Sequence, residues 1–437
     1  MPYVSLSAYD RLFLAGHEAL QRRGLSGHFC FIWLELSGRV DRATLDAAYR
    51  AASIRVPLVT AGIDYSLLTG RARWRYSREE SDVAPIDFHD LAQGDAATGV
   101  RQVLMRAWRE PQDPAEGRQL RLFCFEHGDR STLVLRWPHY LMDLEGAQGF
   151  LLEMQQAARG GDGGAAGNEK SLPYPPDWSR RWLRKWFEGI RRHRTVARLN
   201  SRQLPERNID PNATADFITR QWTAAQSTAI LDAGKRNCLP GPLLHTRHLL
   251  VATARGLDDV AADLDMTPGD HYLLTLPMLR PRRAPRTKLG CNDLIVATIV
   301  VKRDLLGDSA ALHASVLEQI DAYNRGGDEA TWVFMSYVGL LRKRHYEWML
   351  RRKSMMARCS IGFTNFRADA WSDGFLGSGV TNSYACGLPT IPPGVMLTFM
   401  RNGDRLNLGA GFFPHVCAAE NVQRLFARIE HHLGVPI

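Results

Sequence analysis

The chain has 437 residues, of which 45% are hydrophobic and 23% charged, the composition of an ordinary globular protein. This length exceeds the usual size of one hydrophobic core, so we expect two domains or subdomains. The seven cysteines are scattered and no two are spaced as C-x-x-C, which argues against a disulfide framework and a zinc site and favours a reducing cytoplasm. Asp10 and Arg11 interrupt the N-terminal segment, so no signal peptide is expected, and no run approaches the roughly 18 apolar residues of a membrane span.

The positive charge of the chain is concentrated in a few segments. The formal net charge is +9, and residues 178–207 alone hold ten arginines or lysines against two glutamates. Two further basic segments lie at 279–288 and 341–358. Concentrated positive charge indicates an anionic partner, and composition leaves the choice open between a phosphate group, an acidic protein and a lipid surface.

The first part of the chain mixes predicted helices and strands in an irregular order. Apolar periodicity predicts helices at 6–23, 42–56, 97–110 and 145–159. Aromatic and β-branched residues predict a strand at 27–38. Two apolar runs around the polar turn "HGDR" predict a hairpin over 118–140, directly before the last of these helices.

A glycine-rich linker is predicted at 160–170, "GGDGGAAGNEK", and we place the start of the second half near residue 211. Its predicted helices cover 223–237, 240–257, 308–324, 328–357 and 420–434. Its predicted strands are 270–280, 291–303, the strand around "IGFTNF" and a hairpin around "RNGDR". The order lacks βαβα regularity, which favours an α+β fold with mixed sheets flanked by helices.

A histidine ends the second strand of the predicted 118–140 hairpin, and an aspartate follows it four residues later. In "RWPHYLMDLEGAQGF" these residues are His139 and Asp143, with Gly146 three residues further on. A neutral imidazole near its reference pKa of about 6.5 is suited to act as a general base at cytoplasmic pH. The alternative is a histidine buried in the core, and the spacing by itself is compatible with both.

This HxxxD motif at a strand end resembles that of the chloramphenicol acetyltransferase-like superfamily, which includes peptide-synthetase condensation domains, wax ester synthases and BAHD acyltransferases. "SAYDRLFLAG" resembles the opening helix of the family, "EGRQLRLFCF" the strand before the motif and "IGFTNF" a strand of the second half, so the resemblance covers nearly the whole chain. Two positions depart from the family pattern: Pro138 stands where a second histidine is common, and Leu144 where glycine usually follows the aspartate.

The resemblance implies a standalone bacterial enzyme with two similar subdomains, 1–170 and 211–437, arranged in a V and joined by a basic crossover segment at 171–210. The implied reaction moves an acyl group from a thioester, acyl-CoA or acyl carrier protein, to an alcohol or amine in the channel between them, with His139 as base. No metal or redox cofactor is implied. The alternatives are a condensation enzyme forming amides on carrier-bound substrates and an inactive homologue that binds carriers or serves as a scaffold.

The resemblance also implies roles for residues around the motif. Asp143 is expected to pair with Arg280, or with Arg282 as second choice, and to hold the motif loop in shape; a triad carboxylate orienting His139 is the alternative. Thr364 and Asn365 are the candidates to donate a hydrogen bond to the oxyanion. Gly146 and Asn292 are expected to support the fold.

The basic segment predicts an amphipathic helix. At about 100° per residue, Trp178, Trp182, Leu183, Trp186, Phe187 and Ile190 fall on one half and Arg180, Arg181, Arg184, Lys185, Arg191 and Arg192 on the other. Such a helix either packs its tryptophan face on the protein or lies on a membrane surface.

We expect the arginines, Arg180, Arg184 and Arg191 foremost, to contact an acyl carrier protein, a phosphopantetheine phosphate or the inner face of an anionic membrane. A small molecule or lipid is the expected acceptor. The chain is expected to be a cytoplasmic monomer that binds no nucleic acid. His245, His248 and His415 lack companions with ligand-like spacing and are expected to lie in the core or on the surface, without metal.

Overall fold

The computed structural model describes residues 3–66, 70–76, 80–91, 96–161, 180–201, 215–266, 269–279, 292, 294–338, 359–368, 371, 374–391 and 393–435. The helices are α1 (Ala8–Gln21), α2 (Arg42–Arg55), α3 (Ala96–Arg109), α4 (Leu144–Ala158), α5 (Arg180–Ala197), α6 (Ala224–Asn237), α7 (Leu244–Asp263), α8 (Ser309–Ala322), α9 (Asp328–Val338) and α10 (Ala419–Leu433). The strands of the first half are β1 (Tyr3–Ser5), β2 (Phe29–Leu36), β3 (Gly62–Tyr65), β4 (Ala72–Arg75), β5 (Asp87–Asp90), β6 (Arg121–His127) and β7 (Arg130–Pro138). Those of the second half are β8 (Asp216–Gln221), β9 (His271–Leu279), β10 (Leu294–Lys302), β11 (Ile361–Arg367), β12 (Val380–Gly387), β13 (Val395–Asn402) and β14 (Arg405–Phe412).

A five-stranded sheet in the order β12-β2-β7-β6-β5 forms the centre of the first half. Its strand β2, "FCFIWLEL", is apolar at nearly every position because both faces of the sheet are covered. Cys30, Ile32 and Leu34 point into one core with α1, α2 and α4, whereas Phe29 and Phe31 point into a second core with α3. This alternation is the period of two that a pleated strand imposes.

A six-stranded sheet in the order β10-β9-β11-β13-β14-β8 forms the centre of the second half. Helices α6, α7, α8 and α10 share one core with this sheet, in which Leu250, Ile320, Phe363 and Phe399 are fully buried. Strand β11 runs parallel to both of its neighbours, β9 and β13, and the other pairs are antiparallel, so the sheet is mixed.

One strand of the second half completes the sheet of the first. Strand β12 pairs antiparallel with β2, with Tyr384 opposite Trp33. On its way it passes close to β14: a side-chain Cβ at Gly411 would lie only 2.2 Å from the backbone oxygen of Gly387. Glycine is therefore required at position 411. Because β12 pairs with β2, backbone hydrogen bonds as well as side-chain packing join the two halves.

The predicted α+β fold with two subdomains of mixed sheets and flanking helices is confirmed. The predicted helices and strands match the observed ones to within a few residues, except that α7 continues to Asp263, beyond the predicted 240–257. The predicted subdomain boundaries near 170 and 210 lie outside the described residues, as does most of the helix predicted at 328–357 beyond residue 338. Strands β1, β3, β4, β5, β8 and β12 are absent from the sequence prediction.

Candidate active site

A cavity of about 500 Å³ lies between the two halves. Its walls come from α1, β2 and the motif loop on one side, from β9, β10, β11 and β13 on the other, and from α5 and α9. Most of the lining is apolar, and the polar groups within it are few. Such a cavity fits an apolar substrate chain that is oriented by a small number of hydrogen-bonding groups.

His139 lies on the wall of this cavity, one residue after the end of β7. Its imidazole stacks on the ring of Phe13 from α1, with the centroids 3.9 Å apart and an interplanar angle of 23°. The imidazole of His28 is on another side, at a centroid distance of 4.8 Å. The Nδ1 atom of His139 is buried and has no hydrogen-bond partner among the described residues.

The backbone of His139 is held from both halves of the protein. Its N–H donates to the carbonyl oxygen of His28 at 2.9 Å. The side-chain amide of Asn292, from the second half, donates to the carbonyl oxygen of His139 and to Oδ1 of Asp10, each at 2.9 Å. Asn292 and Asp10 are both buried, so these bonds fix the histidine relative to α1 and the second half.

Burial controls the protonation state of this histidine. Desolvation lowers the pKa of His139 to about 4, opposed by hydrogen bonding that involves its own backbone and Asn292 and by the negative charge of Asp10. Desolvation also lowers the pKa of His28 well below its ordinary value. Both imidazoles are therefore neutral at pH 7, and a neutral imidazole is the form that accepts a proton.

Asp143 begins the helix that follows the motif. It is the N-cap of α4, and its Oδ1 accepts a hydrogen bond from the backbone N–H of Gly146 at 2.8 Å. The side chain is buried, and it also lines the cavity. Leu144, the first helical residue, lines the cavity beside it. This capping bond fits the expected structural role of Asp143, and the predicted partners Arg280 and Arg282 lie outside the described residues.

Strand β11 presents its two predicted oxyanion donors in different directions. Ile361 and Phe363 point into the core of the second half, and Asn365, on the same face, donates its amide to Oγ1 of Thr246 on α7 at 2.9 Å. Thr364 lies on the opposite face, which carries Phe366 against the core of the first half. Thr364 and Asn365 both line the cavity, and Thr364 lies on the face of β11 that is turned toward the first half.

Neighbouring strands add further threonines to this wall of the cavity. Thr364 is paired with Thr398 of β13, and Thr275 of β9 is paired with Thr298 of β10. All four residues line the cavity. The hydroxyl of Thr275 accepts a hydrogen bond from the backbone N–H of Phe363 at 3.3 Å, so it is engaged within the sheet.

Helix α5 packs against α9 along a face with both apolar and basic side chains. Trp186 contacts Tyr337 at a centroid distance of 5.3 Å, and Lys185 lies within 3.8 Å of Glu329. The helices approach so closely at Gly189 that a Cβ there would lie 2.6 Å from the Cβ of Phe334. Of the two arrangements predicted for this helix, packing on the protein therefore holds for the face of α5 that is turned toward α9.

The predicted division of α5 is wrong at three positions. Phe187 is 61% exposed and lies on the outer face with Arg180, Arg184 and Arg191. Lys185 and Arg192, assigned to the polar half, turn toward the protein. The cause is the close approach of α5 to α9 at Gly189. The face of α5 that is packed there differs from the face that the hydrophobic pattern indicates.

Arg192 carries positive charge to the cavity wall. Its guanidinium lies over the ring of Tyr323, 5.1 Å from the centroid, and its Nη1 is buried without a hydrogen-bond partner among the described residues. The exposed Arg180, Arg184 and Arg191 continue this charge along the helix to the surface, and none of them has an ion pair within the described part of the chain.

Several residues of the site escaped the sequence analysis. His28 and Asp10 reach His139 from β2 and α1, more than 100 residues away in the chain, and no spacing pattern links them to the motif. Phe13 was not singled out within the predicted helix 6–23, and Arg192 was placed on the polar half of the basic helix. The expectation that His248 has no ligand-like companion is also wrong, because it is buried beside Cys238 and His313.

Across the described ranges, no helix has the length and apolar character of a membrane span. The sequence matches no protein-family model and no curated protein sequence.

Solved structures, in contrast, match over nearly the whole chain. The first condensation domain of the calcium-dependent antibiotic synthetase, solved with a substrate analogue, has a TM-score of 0.70 at 13% identity and covers 99% of this chain and 95% of its own. Trichothecene 15-O-acetyltransferase from Fusarium sporotrichioides has a TM-score of 0.70 at 14% identity, over 98% of this chain and 94% of its own. The epimerization domain of tyrocidine synthetase B has a TM-score of 0.61 at 12% identity, over 99% and 95%. The chain therefore has the two-subdomain fold that condensation domains share with this acetyltransferase, and the expected likeness to the chloramphenicol acetyltransferase-like superfamily is confirmed at the level of the fold.

Proposed function

We propose that the protein is an acyltransferase that moves an acyl group from a thioester to an alcohol or amine acceptor, with His139 as the general base. The observation that carries the proposal is the position of His139: a neutral imidazole on the wall of a largely apolar cavity between the two halves. A histidine that served only the core would need no such cavity. The fold shared with condensation domains and an acetyltransferase supports the same class of reaction.

In the proposed reaction His139 takes the proton from the acceptor hydroxyl or amine as the acceptor attacks the thioester carbonyl. The carbonyl oxygen becomes an oxyanion, and a hydroxyl on the opposite wall donates a hydrogen bond to it. The intermediate then collapses, the carbon–sulfur bond breaks, and the leaving thiolate takes the proton back from the imidazolium. No net proton or electron is gained by the protein.

Thr364 is the proposed donor to the oxyanion, because Asn365 already donates its amide to Thr246. The variant Thr364→Val removes the hydroxyl and keeps the side-chain shape. Its kcat is expected to fall about 10²-fold, the lower end of what the loss of one such donor costs. Steady-state kinetics with a saturating donor measures this loss.

Thr253→Val is the matched control, because Thr253 is a buried threonine of the same half whose hydroxyl bonds within α7. It should keep nearly the parent rate. Asn365→Ala is expected to lower the melting temperature by releasing α7, with a smaller loss of rate than Thr364→Val. A Thr364→Val enzyme with the parent kcat contradicts the assignment.

The outer face of α5 is proposed to receive the anionic part of the donor, either the phosphate of a phosphopantetheine arm or the acidic surface of its carrier. Three observations support this: Arg180, Arg184 and Arg191 are exposed, the half-buried Arg192 has a buried Nη1 and lines the cavity, and all four residues lie on one helix. A chain of positive charge that ends at the cavity attracts a negatively charged donor to its entrance.

Reversing Arg180, Arg184 and Arg191 to glutamate should raise the Michaelis constant for a carrier-bound or coenzyme A donor several-fold or more. Each exposed ion pair is worth about 0.2–1 kcal/mol, and the three losses add. A minimal thioester donor without phosphate should be used as well by the variant as by the parent. Initial rates with the three donors test this.

The matched control reverses Arg106, Arg109 and Arg236, which are exposed on other helices and change the net charge equally. It should leave every Michaelis constant unchanged. Loss of co-sedimentation with anionic liposomes, without any effect on donor kinetics, assigns α5 to a membrane instead. If neither the Michaelis constants nor the co-sedimentation changes, the three arginines only form a solvated face of α5.

The class of reaction is tested by offering purified protein a panel of acyl-CoA and acyl carrier thioesters with alcohols and amines and analysing the products by mass spectrometry. An ester or amide that forms with the parent and disappears in His139→Ala supports the proposal, and the product itself distinguishes ester from amide formation. Carrier binding without turnover for any pair supports the inactive homologue.

A further inference from the structure

A cluster of one cysteine and two histidines lies in the second half. Cys238 ends α6, His248 is on α7 and His313 is on α8. One ligand-type atom from each residue lies within 4.8 Å of the others, and all three side chains are buried. The cluster is outside the set of residues that line the cavity of His139, so the proposed acyl transfer makes no use of it.

One distance within the cluster matches that between two ligands of a tetrahedral metal site. Around a zinc ion with bonds of about 2.3 Å to sulfur and about 2.0–2.1 Å to nitrogen, neighbouring ligand atoms lie roughly 3.3–3.6 Å apart. The Sγ of Cys238 is 3.3 Å from the Nδ1 of His313, within that range. Two of the three ligands are therefore already placed at coordination distance from each other.

The third residue, His248, carries a buried nitrogen without a hydrogen-bond partner in the described part of the chain. Nε2 of His248 is buried and has no hydrogen-bond partner among the described residues, and the residue is only 4% exposed. Its ring is held close to α6, where a Cβ at Gly234 would be 3.3 Å from the ring. A buried polar atom without a partner costs free energy, and a bound ion would remove that cost.

The charges near the cluster decide which donor matters most. Arg247, which precedes His248 on α7, is buried and donates hydrogen bonds to the carbonyl oxygens of Pro242 and Leu239, so positive charge lies close by. Two neutral imidazoles alone would bind a cation poorly in such surroundings. The thiolate of Cys238 supplies the compensating negative charge, and thiolate with imidazole is a donor set that zinc prefers.

We propose that Cys238, His248 and His313 form a binding site for a thiophilic divalent metal ion, for which Zn²⁺ is the best fit, that ties α6, α7 and α8 together. On binding, the thiol of Cys238 loses its proton to solvent, a sulfur–metal bond forms and each imidazole donates one lone pair. Three protein ligands leave a fourth position for water.

Metal-free protein, prepared by dialysis against a chelator, should bind one equivalent of Zn²⁺ in competition with a chromophoric chelator and gain thermal stability. Addition of Co²⁺ to the parent should produce a sulfur-to-cobalt charge-transfer band and the visible bands of tetrahedral cobalt. The spectrum tests thiolate coordination without any substitution. The variants Cys238→Ser, His248→Gln and His313→Gln should each bind Zn²⁺ more weakly than the parent by more than roughly 10–100-fold. That range is the loss of affinity when a residue that only hydrogen-bonds to a metal ligand is removed.

Cys417→Ser and His432→Gln are the matched controls, a buried thiol and a partly buried imidazole of the same half outside the cluster. Both should bind Zn²⁺ like the parent. Parent protein that binds no stoichiometric Zn²⁺, a cobalt spectrum without the sulfur band, or a Cys238→Ser variant with parent affinity overturns the proposal. A variant that does not fold leaves the parent titration and cobalt spectrum as the deciding measurements.

Discussion

Replacing His139 by alanine is expected to lower kcat/KM for acyl transfer by at least about 10²-fold, because the acceptor then loses its general base. The melting temperature should change little. The side chain borders an existing cavity, and the loop is held by backbone bonds to His28 and Asn292 that alanine retains. Kinetics and thermal unfolding of the purified variant, with a donor and acceptor that the parent uses, measure both effects.

His28→Asn is the matched variant, because the two imidazoles lie only 4.8 Å apart in the same site. It should lower kcat/KM less than His139→Ala does, because His28 only supports the position of His139, through packing and through its backbone carbonyl. A larger loss for His28→Asn, together with parent-like turnover of His139→Ala, would assign the base to His28.

The pH profile gives an independent check. Burial lowers the pKa of His139 to about 4, and a general base is lost as the pH falls through that value. The rate of the free enzyme should therefore stay flat from pH 8 down to about pH 5, provided that the fold survives. A descending limb centred near the reference value of about 6.5 would mean that the imidazole is hydrated in solution.

Much of the fold follows from local patterns in the sequence. The hairpin β6–β7 was predictable because two apolar runs flank a polar turn, and α4 because its apolar periodicity over 145–159 marks a buried face. These two predictions together put His139 between the end of a strand and the start of a helix, where the structure has it. These features involve neighbours in sequence, where spacing alone decides the structure.

The parts that were missed depend on distant contacts. Strand β12, "VTNSYACG", has the glycine, asparagine and serine of a loop, and it becomes a strand only because β2 offers a free edge. Cys238, His248 and His313 are spaced by 10 and 65 residues, so only the packing of three helices brings them together. Phe187 is exposed because α9 covers a different face of α5 than the pattern indicates.

Replacing Asp143 by alanine is expected to lower both the melting temperature and the activity. The loss of an N-cap costs about 1 kcal/mol, because the N–H of Gly146 loses its acceptor inside the protein. If Arg280 is the partner, as the resemblance implies, a buried unpaired charge adds about 3–5 kcal/mol. Thermal unfolding and kcat/KM of the same preparation measure the two effects together.

Asp143→Asn separates the contributions, because asparagine caps a helix as well as aspartate but carries no charge. A stable Asn variant assigns the role to capping, whereas one as unstable as Asp143→Ala assigns it to an ion pair. Asp41→Ala is the matched control: Asp41 caps α2 by accepting from the N–H of Thr44 at 2.8 Å and does not line the cavity, so only a cap is lost. An Asp143→Ala enzyme as stable as the parent, with the rate alone reduced, contradicts the structural role and favours a carboxylate that acts on His139.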